Sequence, residues 1–418
     1  MIETEQGLDW TFLNEDTREY THIYHDYPAR MIPQIPRQLL TILGANEGQI
    51  LFDPYCGSGS TLVEGLLKGL NVIGTDINPL AKLISEAKTE YTIVPCDLKD
   101  EIERFVEFTL TPTGKPKVIE KNNLDFWFKP NIIKKIGLII RYVSRIRDPR
   151  IKKFFEVVAS ETIRESSNTR KDEFKLYRYS IEKLEKHNPD PFVIMKGKLF
   201  RNSRGYASFY KAMSELAVHP SSQVYSFSSV KPIHRNRVKL NSVDVVITSP
   251  PYGDSHTTVA YGQYSRLSSE WLGILKQNVD ATSMGGASIK SNYVFGCASL
   301  DNAIKEVSVN NLKRGLEVNS FYVDLGKSIR NVSSLIKTGG YACYVVANRK
   351  VTSVSLPTDQ AVEYFFERNG FSHFNTFIRA IPNKRMPSRN SPTNIAGKTE
   401  ETMSKEYIVV MRKERVSA

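Results

Sequence analysis

The stretch GQILFDPYCGSGSTLVEGLLKGLNVIGTDINPLAKLISEAK, Gly48 to Lys88, changes its hydrophobic rhythm as it runs. An apolar run ends at Phe52, a turn bearing Gly57 and Gly59 follows, and Leu62, Leu66 and Leu67 then recur at helical spacing before NVIGTD closes on Asp76. This reads as strand, glycine turn, helix, strand, acidic turn, helix. Such a unit predicts a right-handed βαβ crossover opening a parallel sheet, and hence an α/β fold.

The turn itself points to a ligand. Gly57 and Gly59 let the backbone approach a bound group closely at the end of the first strand, where α/β sheets hold nucleotides. Asp76, at the end of the second strand, suits a ribose, whose two hydroxyls donate to one carboxylate. The pattern departs from a dinucleotide site: Leu62 stands three positions after Gly59 where a third glycine belongs, and Asp53 sets negative charge where a pyrophosphate would lie. A cationic amino or sulfonium group suits Asp53 better. The segment Asp53, Pro54, Tyr55, Cys56, Gly57, Ser58 and Gly59, with Asp76 and Asn78, forms the candidate cofactor site; Asn78 also fits a helix N-cap.

A second stretch, NSVDVVITSPPYGDSHTTVAYGQ (Asn241 to Gln263), runs a buried-looking strand into Ser249-Pro250-Pro251-Tyr252. Two prolines remove two backbone donors, so the strand ends there with carbonyls that no continuing ladder satisfies. Between these stretches, residues 94–222 are long, basic and helix-like, as in NIIKKIGLIIRYVSRIRDPRIKKFFEVVASETIRE. The sheet pattern returns with QVYSFSS, continues through the helix FYVDLGKSIRNVSSLI and the strand GYACYVVAN, and ends in FSHFNTFIRAI and EYIVVMRK, which predict an antiparallel edge hairpin. One α/β catalytic domain, residues 1–93 and 223–418, is thus expected to carry a mainly helical insertion at 94–222.

The 418 residues are 40% hydrophobic, enough for a substantial core, and 57 Lys and Arg against 45 Asp and Glu leave a net charge of +12 spread along the chain. That balance fits a polyanionic partner. The four cysteines are far apart and suggest neither a disulfide framework nor a metal site; Cys96, in TIVPCDL, reads as a loop cysteine. The polar N-terminus and the lack of a long apolar run predict a soluble, cytoplasmic protein without membrane contact.

FDPYCGSGS with TDINPLA resembles the S-adenosylmethionine-binding motifs of class I methyltransferases, and TSPPY resembles the catalytic motif of DNA amino-methyltransferases. The likeness spans roughly residues 21–90 and 224–413. It implies a Rossmann-like sheet, S-adenosyl-L-methionine as cofactor, double-stranded DNA as substrate, no metal, a cognate restriction endonuclease as partner and a monomer. The Ser-Pro-Pro-Tyr form accompanies mainly cytosine-N4 enzymes, Asp-Pro-Pro-Tyr many adenine-N6 enzymes.

In that setting Ser249 and the Pro250 carbonyl are expected to accept the two N–H groups of an exocyclic amine, with Pro251 holding the turn and Tyr252 stacking on a flipped base, a contact worth about 1–3 kcal/mol. The resemblance implies that the segment with His22, Tyr27, Pro28 and Pro33 covers the methionine end of the cofactor. It also calls for an acidic contact to the adenine ring, where this chain has Ser228 and Ser229. The insertion is expected to read DNA through Arg164, Asn168, Arg170 and Arg178. Tyr261 lies in a Ser/Thr-rich loop beyond the turn, with Tyr264 and Trp271, and Lys384 and Arg385 sit between the hairpin strands; all are expected near DNA. Rival readings are an adenine-N6 enzyme, an RNA base amino-methyltransferase and a silent DNA-binding regulator.

Overall fold

The computed structural model describes residues 9–120, 123–171, 173–253, 259–276, 278–287, 289–381, 389–390, 400–401 and 403–414. A short 3-10 turn (Tyr20–Tyr24) and α1 (Gln34–Ile42) lead into β1 (Ile50–Asp53), α2 (Ser60–Leu67), β2 (Asn71–Thr75) and α3 (Pro79–Lys88). The opening stretch therefore folds as read, with β1 and β2 parallel from Ile50 opposite Asn71 to Asp53 opposite Gly74. Four long helices follow: α4 (Pro95–Leu110), α5 (Pro130–Val143), α6 (Pro149–Ser166) and α7 (Pro191–Ser214). Proline occupies the first position of each, where its missing N–H costs nothing. Asp148 and Asp190 cap α6 and α7 by accepting the N–H groups of Arg150 at 2.8 Å and Phe192 at 2.9 Å. Cys96 is exposed in the first turn of α4, so the expected loop there is a helix.

The chain then adds β3 (Ser222–Tyr225), β4 (Val243–Thr248), α8 (Tyr261–Leu272), α9 (Ala298–Asn310), α10 (Leu312–Ser333), β5 (Ile336–Val346), α11 (Thr358–Glu367), β6 (Phe371–Ala380) and β7 (Lys405–Lys413). The sheet order is β3-β2-β1-β4-β5-β7-β6. The first five strands are parallel; β7 runs antiparallel between β5 and β6. This is the Rossmann-like class I methyltransferase fold, including the expected edge hairpin.

Alternating residues of the central strands feed two cores, as a sheet covered on both faces requires. Phe52, Val246 and Tyr344 join Leu325, Ile329 and Phe366 on one face, while Leu51, Val245 and Cys343 join Leu39, Leu62 and Phe209 on the other. The helical segment packs in two clusters: Phe105, Ile139, Phe154 and Leu199 join Leu80 and Ile84 of α3 and Tyr24 and Tyr27 of the N-terminal arm, while Phe128, Ile132, Ile136, Ile140 and Ile163 join Leu267 and Trp271 of α8. The sheet also has a switch point. From β1 the chain moves outward to β3, then returns to lay β4 on the opposite side of β1, so the carboxyl ends of β1 and β4 diverge around a crevice.

Candidate active site

At the end of β1, the buried Asp53 accepts two hydrogen bonds on one oxygen, from the Tyr55 N–H at 3.0 Å and the Thr248 hydroxyl at 2.6 Å. The second bond ties β1 to the last residue of β4. The glycine loop then turns left-handed at Gly57 (φ 48°) and Gly59 (φ 76°). A Cβ on Gly59 would lie 2.9–3.1 Å from Ser85 atoms, so only glycine fits there. Ser85 on α3 in turn donates to the Gly57 carbonyl at 2.9 Å.

Asp76, at the end of β2, accepts the Gly57 N–H on Oδ2 at 3.0 Å and the Asn78 N–H on Oδ1 at 2.8 Å. One carboxylate thus joins the glycine loop to the start of α3, and each oxygen retains a second lone pair. Burial pushes the carboxyls of both Asp53 and Asp76 up to about 6. Asn78 performs two tasks: its Oδ1 caps α3 by accepting the Leu80 N–H at 3.1 Å, and its Nδ2 donates to the Tyr27 hydroxyl at 3.0 Å.

Tyr27 stacks on Tyr261 with ring centroids 5.8 Å apart and planes 18° from parallel. Tyr27, Pro28, Ala29, Arg30 and Met31 form one wall of a cleft of about 920 Å³, counting its solvent-open part. Asp53 to Ser58, Asp76 and Asn78 line the same cleft, together with Ser249 and Pro251. The two motifs, far apart in the chain, thus border one cavity. Pro250 is buried, and the Tyr252 hydroxyl donates to Glu406 Oε1 at 2.8 Å.

Several sequence expectations need correction. His22 does not line the cleft: it is buried behind α2 with its Nε2 2.9 Å from Glu64. Pro33 stands at the N-terminus of α1 and also lies off the cleft. The segment after Tyr252 is no continuous loop, since α8 begins at Tyr261 and buries Tyr264 and Trp271. Tyr261 faces the cleft. Arg164 is only 8% exposed; its guanidinium stacks 4.1 Å from the Tyr264 ring and donates to the carbonyls of Tyr264 and Glu173. Asn168 is buried and donates to the Phe126 carbonyl at 3.0 Å.

Both residues stabilise the fold from inside and are not available to DNA. Arg170 is exposed, and Arg178, which covers the Phe126 ring, is half-buried. Lys384 and Arg385 lie outside the described residues.

The structure adds lining residues that the sequence left unmarked: Phe227 and Val230, with Val279, Ser283 and Met284. Phe227 is held by Thr75, whose hydroxyl donates to its carbonyl at 2.7 Å. The two serines at the expected acidic position both line the cleft, and Ser229 is buried and engages Ser328 at 2.8 Å. Among the described residues, no group of three or more His, Cys, Asp or Glu is placed to hold a metal, and no helix is long and apolar enough to cross a membrane.

A family model described as "RMKL-like, methyltransferase domain" matches residues 18–126. The type II methyltransferase M.BsoBI of Geobacillus stearothermophilus is 22% identical over 288 residues, covering 62% of this chain and 54% of its own length. A shorter match, 38% identical over 52 residues, links 12% of this chain to 16% of the tRNA (guanine(10)-N2)-dimethyltransferase of Methanothermobacter thermautotrophicus. The type II methyltransferase M.MvaI of Kocuria varians is 41% identical over 424 residues, spanning 96% of this chain and 93% of its own. With a likeness of that extent over both motifs and the helices between them, the chain belongs to the type II DNA methyltransferase family.

Proposed function

We propose that this methyltransferase transfers a methyl group from S-adenosyl-L-methionine to the N4 amine of a flipped cytosine in double-stranded DNA, as the modification arm of a restriction system. The observation that carries the reading is the shared cleft: Ser249 and Pro251 of the Ser-Pro-Pro-Tyr turn and the glycine loop with Asp76 border one cavity at the switch point of the sheet.

The cleft's donors and acceptors fit the cofactor. Asp76 has lone pairs left for two ribose hydroxyls, Asp53 offers a carboxylate to a cationic group, and the Ser58 hydroxyl is buried beside the start of α2 without a protein partner. Tyr27, Pro28, Tyr55 and Asn78 would complete the enclosure. When bound, the cofactor supplies a methyl group already activated on a sulfonium.

The remaining work falls to the chain. An exocyclic amine is a weak nucleophile because its lone pair is delocalised into the ring. Acceptors that bind its two N–H groups out of the ring plane favour the tetrahedral nitrogen of the transition state. Ser249 Oγ and the Pro250 carbonyl are assigned that role, on a turn whose prolines need little reorganisation. The Tyr252 ring is assigned to stacking, and the 94–222 segment to target recognition through exposed cations such as Arg170.

The direct test is nucleoside mass spectrometry on unmodified DNA incubated with the protein and isotopically labelled S-adenosylmethionine. Labelled N4-methylcytosine is expected; labelled N6-methyladenine would keep the mechanism and overturn the base, and label in RNA alone would overturn the substrate. Cofactor affinity should also depend on pH. With both cleft carboxyls near 6 in the free enzyme, lowering the pH protonates the groups that hold the ligand, so binding weakens roughly tenfold or more between pH 7 and pH 5. Asp53→Asn is expected to weaken binding at pH 7 while stabilising the free enzyme, because a carboxyl whose folded pKa exceeds its unfolded value destabilises the fold when ionised. Calorimetric titration and urea unfolding read the two effects. Loss of stability together with unchanged affinity would remove Asp53 from the site.

A further inference from the structure

The Tyr252 hydroxyl is the middle of a chain. It donates to Glu406 Oε1 at 2.8 Å, and it accepts from the Ser249 hydroxyl over a long 3.3 Å contact. Glu406 lies opposite Arg379 in the β7–β6 register, and the Arg379 guanidinium grips its other oxygen at 2.5 Å. Arg379 is itself buried and anchored, its Nε donating to the Trp10 carbonyl at 2.9 Å.

The chemistry of these groups fixes the direction of the chain. A guanidinium only donates and a carboxylate only accepts, so Glu406 is held with Oε2 toward Arg379 and Oε1 toward the phenol. Burial, followed by the Glu406 charge, pushes the Tyr252 pKa well above its usual value, so the phenol keeps its proton and donates it to Glu406. Toward Ser249 the phenol then offers only a lone pair. Ser249 must spend its single proton on Tyr252, and its oxygen presents lone pairs alone to the cleft.

We infer that Glu406, through Tyr252, sets the polarity of a Ser249–Tyr252–Glu406 hydrogen-bond chain and so keeps Ser249 an acceptor for the N–H of the target amine. This rests on the function proposed above. Glu406 touches no reacting atom and is a positioning residue, supplied by the antiparallel edge hairpin to a site built at the parallel strand ends.

Glu406→Gln supplies the test, because it should invert the chain. Arg379 claims the amide oxygen, the amide NH2 donates to the Tyr252 oxygen, and the phenol proton turns to Ser249, whose own proton is then free to face the cleft. Single-turnover methyl transfer at saturating substrates is expected to slow by about tenfold or more, with the cofactor dissociation constant unchanged. Tyr252→Phe keeps the ring, leaves the Glu406–Arg379 pair intact and frees the serine rotor, so it should cost less than Glu406→Gln. Adding it to Glu406→Gln should restore part of the lost rate.

Damage to packing would give the opposite, a double variant slower than either single one. That result, or a Glu406→Gln rate equal to wild type, overturns the inference. Wild-type protein that labels no DNA would instead overturn the function. Neutron diffraction from the free enzyme reads the chain without any substrate: deuterons running from Ser249 to Tyr252 to Glu406 support it, and a Tyr252 deuteron pointing at Ser249 refutes it.

Discussion

Asp76→Ala is expected to raise the dissociation constant for S-adenosylmethionine by about 100-fold or more, since hydrogen bonds to a charged group contribute about 1.5–3 kcal/mol each and two ribose hydroxyls would lose their acceptor. The loss extends beyond the ligand. The same carboxylate accepts the N–H groups of Gly57 and Asn78, so its removal leaves two loop donors without their acceptor and frees the glycine turn from the start of α3. Isothermal titration on the folded variant measures the effect, with Tyr252→Ala as the contrasting control that should bind cofactor nearly normally. A normal dissociation constant for Asp76→Ala would move the ribose elsewhere in the cleft.

The second large effect concerns stability. Glu161 of α6 is buried, with Lys198 Nζ and an Arg201 nitrogen of α7 each 2.7 Å from its Oε2, while its Oε1 accepts the Asp26 N–H at 3.1 Å. Burial alone would raise its pKa, but the positive charges of His25, Lys198 and Arg201 outweigh that and hold it at about 2. The group therefore contributes stability above its unfolded value of about 4.3, lost as pH falls through 2.

Glu161→Ala leaves the 9%-exposed Lys198 side chain with only Glu165 as partner and is expected to cost about 3–5 kcal/mol in urea unfolding. Arg201 also donates to the Tyr24 carbonyl, so the cluster clamps the arm that carries Tyr27 and Pro28 into the cleft. Cofactor affinity should fall along with stability. Lys198→Met in the same chain should recover part of the loss by removing the stranded charge. A change within 1 kcal/mol for Glu161→Ala would mean that the arm is held without help from the buried carboxylate.

The amino-acid sequence by itself determined the βαβ opening, the glycine turn with its acid, the strand broken at Ser249-Pro250 and the edge hairpin. Each is written in consecutive residues: a hydrophobic period, a glycine that must turn left-handed, a proline that cannot donate. Tertiary structure alone decided which polar residues are interior. Arg164 and Asn168 look like surface letters, yet α6 is packed between α3, α7 and α8 and buries Ser160, Glu161, Thr162 and Arg164 alike. Glu406 was equally invisible, because its partner Tyr252 is 154 positions away and nothing within β7 distinguishes it from an ordinary edge-strand acid. The reason is physical: local propensity acts over a few residues, whereas the partner that satisfies a buried charge or orients a hydroxyl is chosen by which strands and helices the sheet order brings side by side.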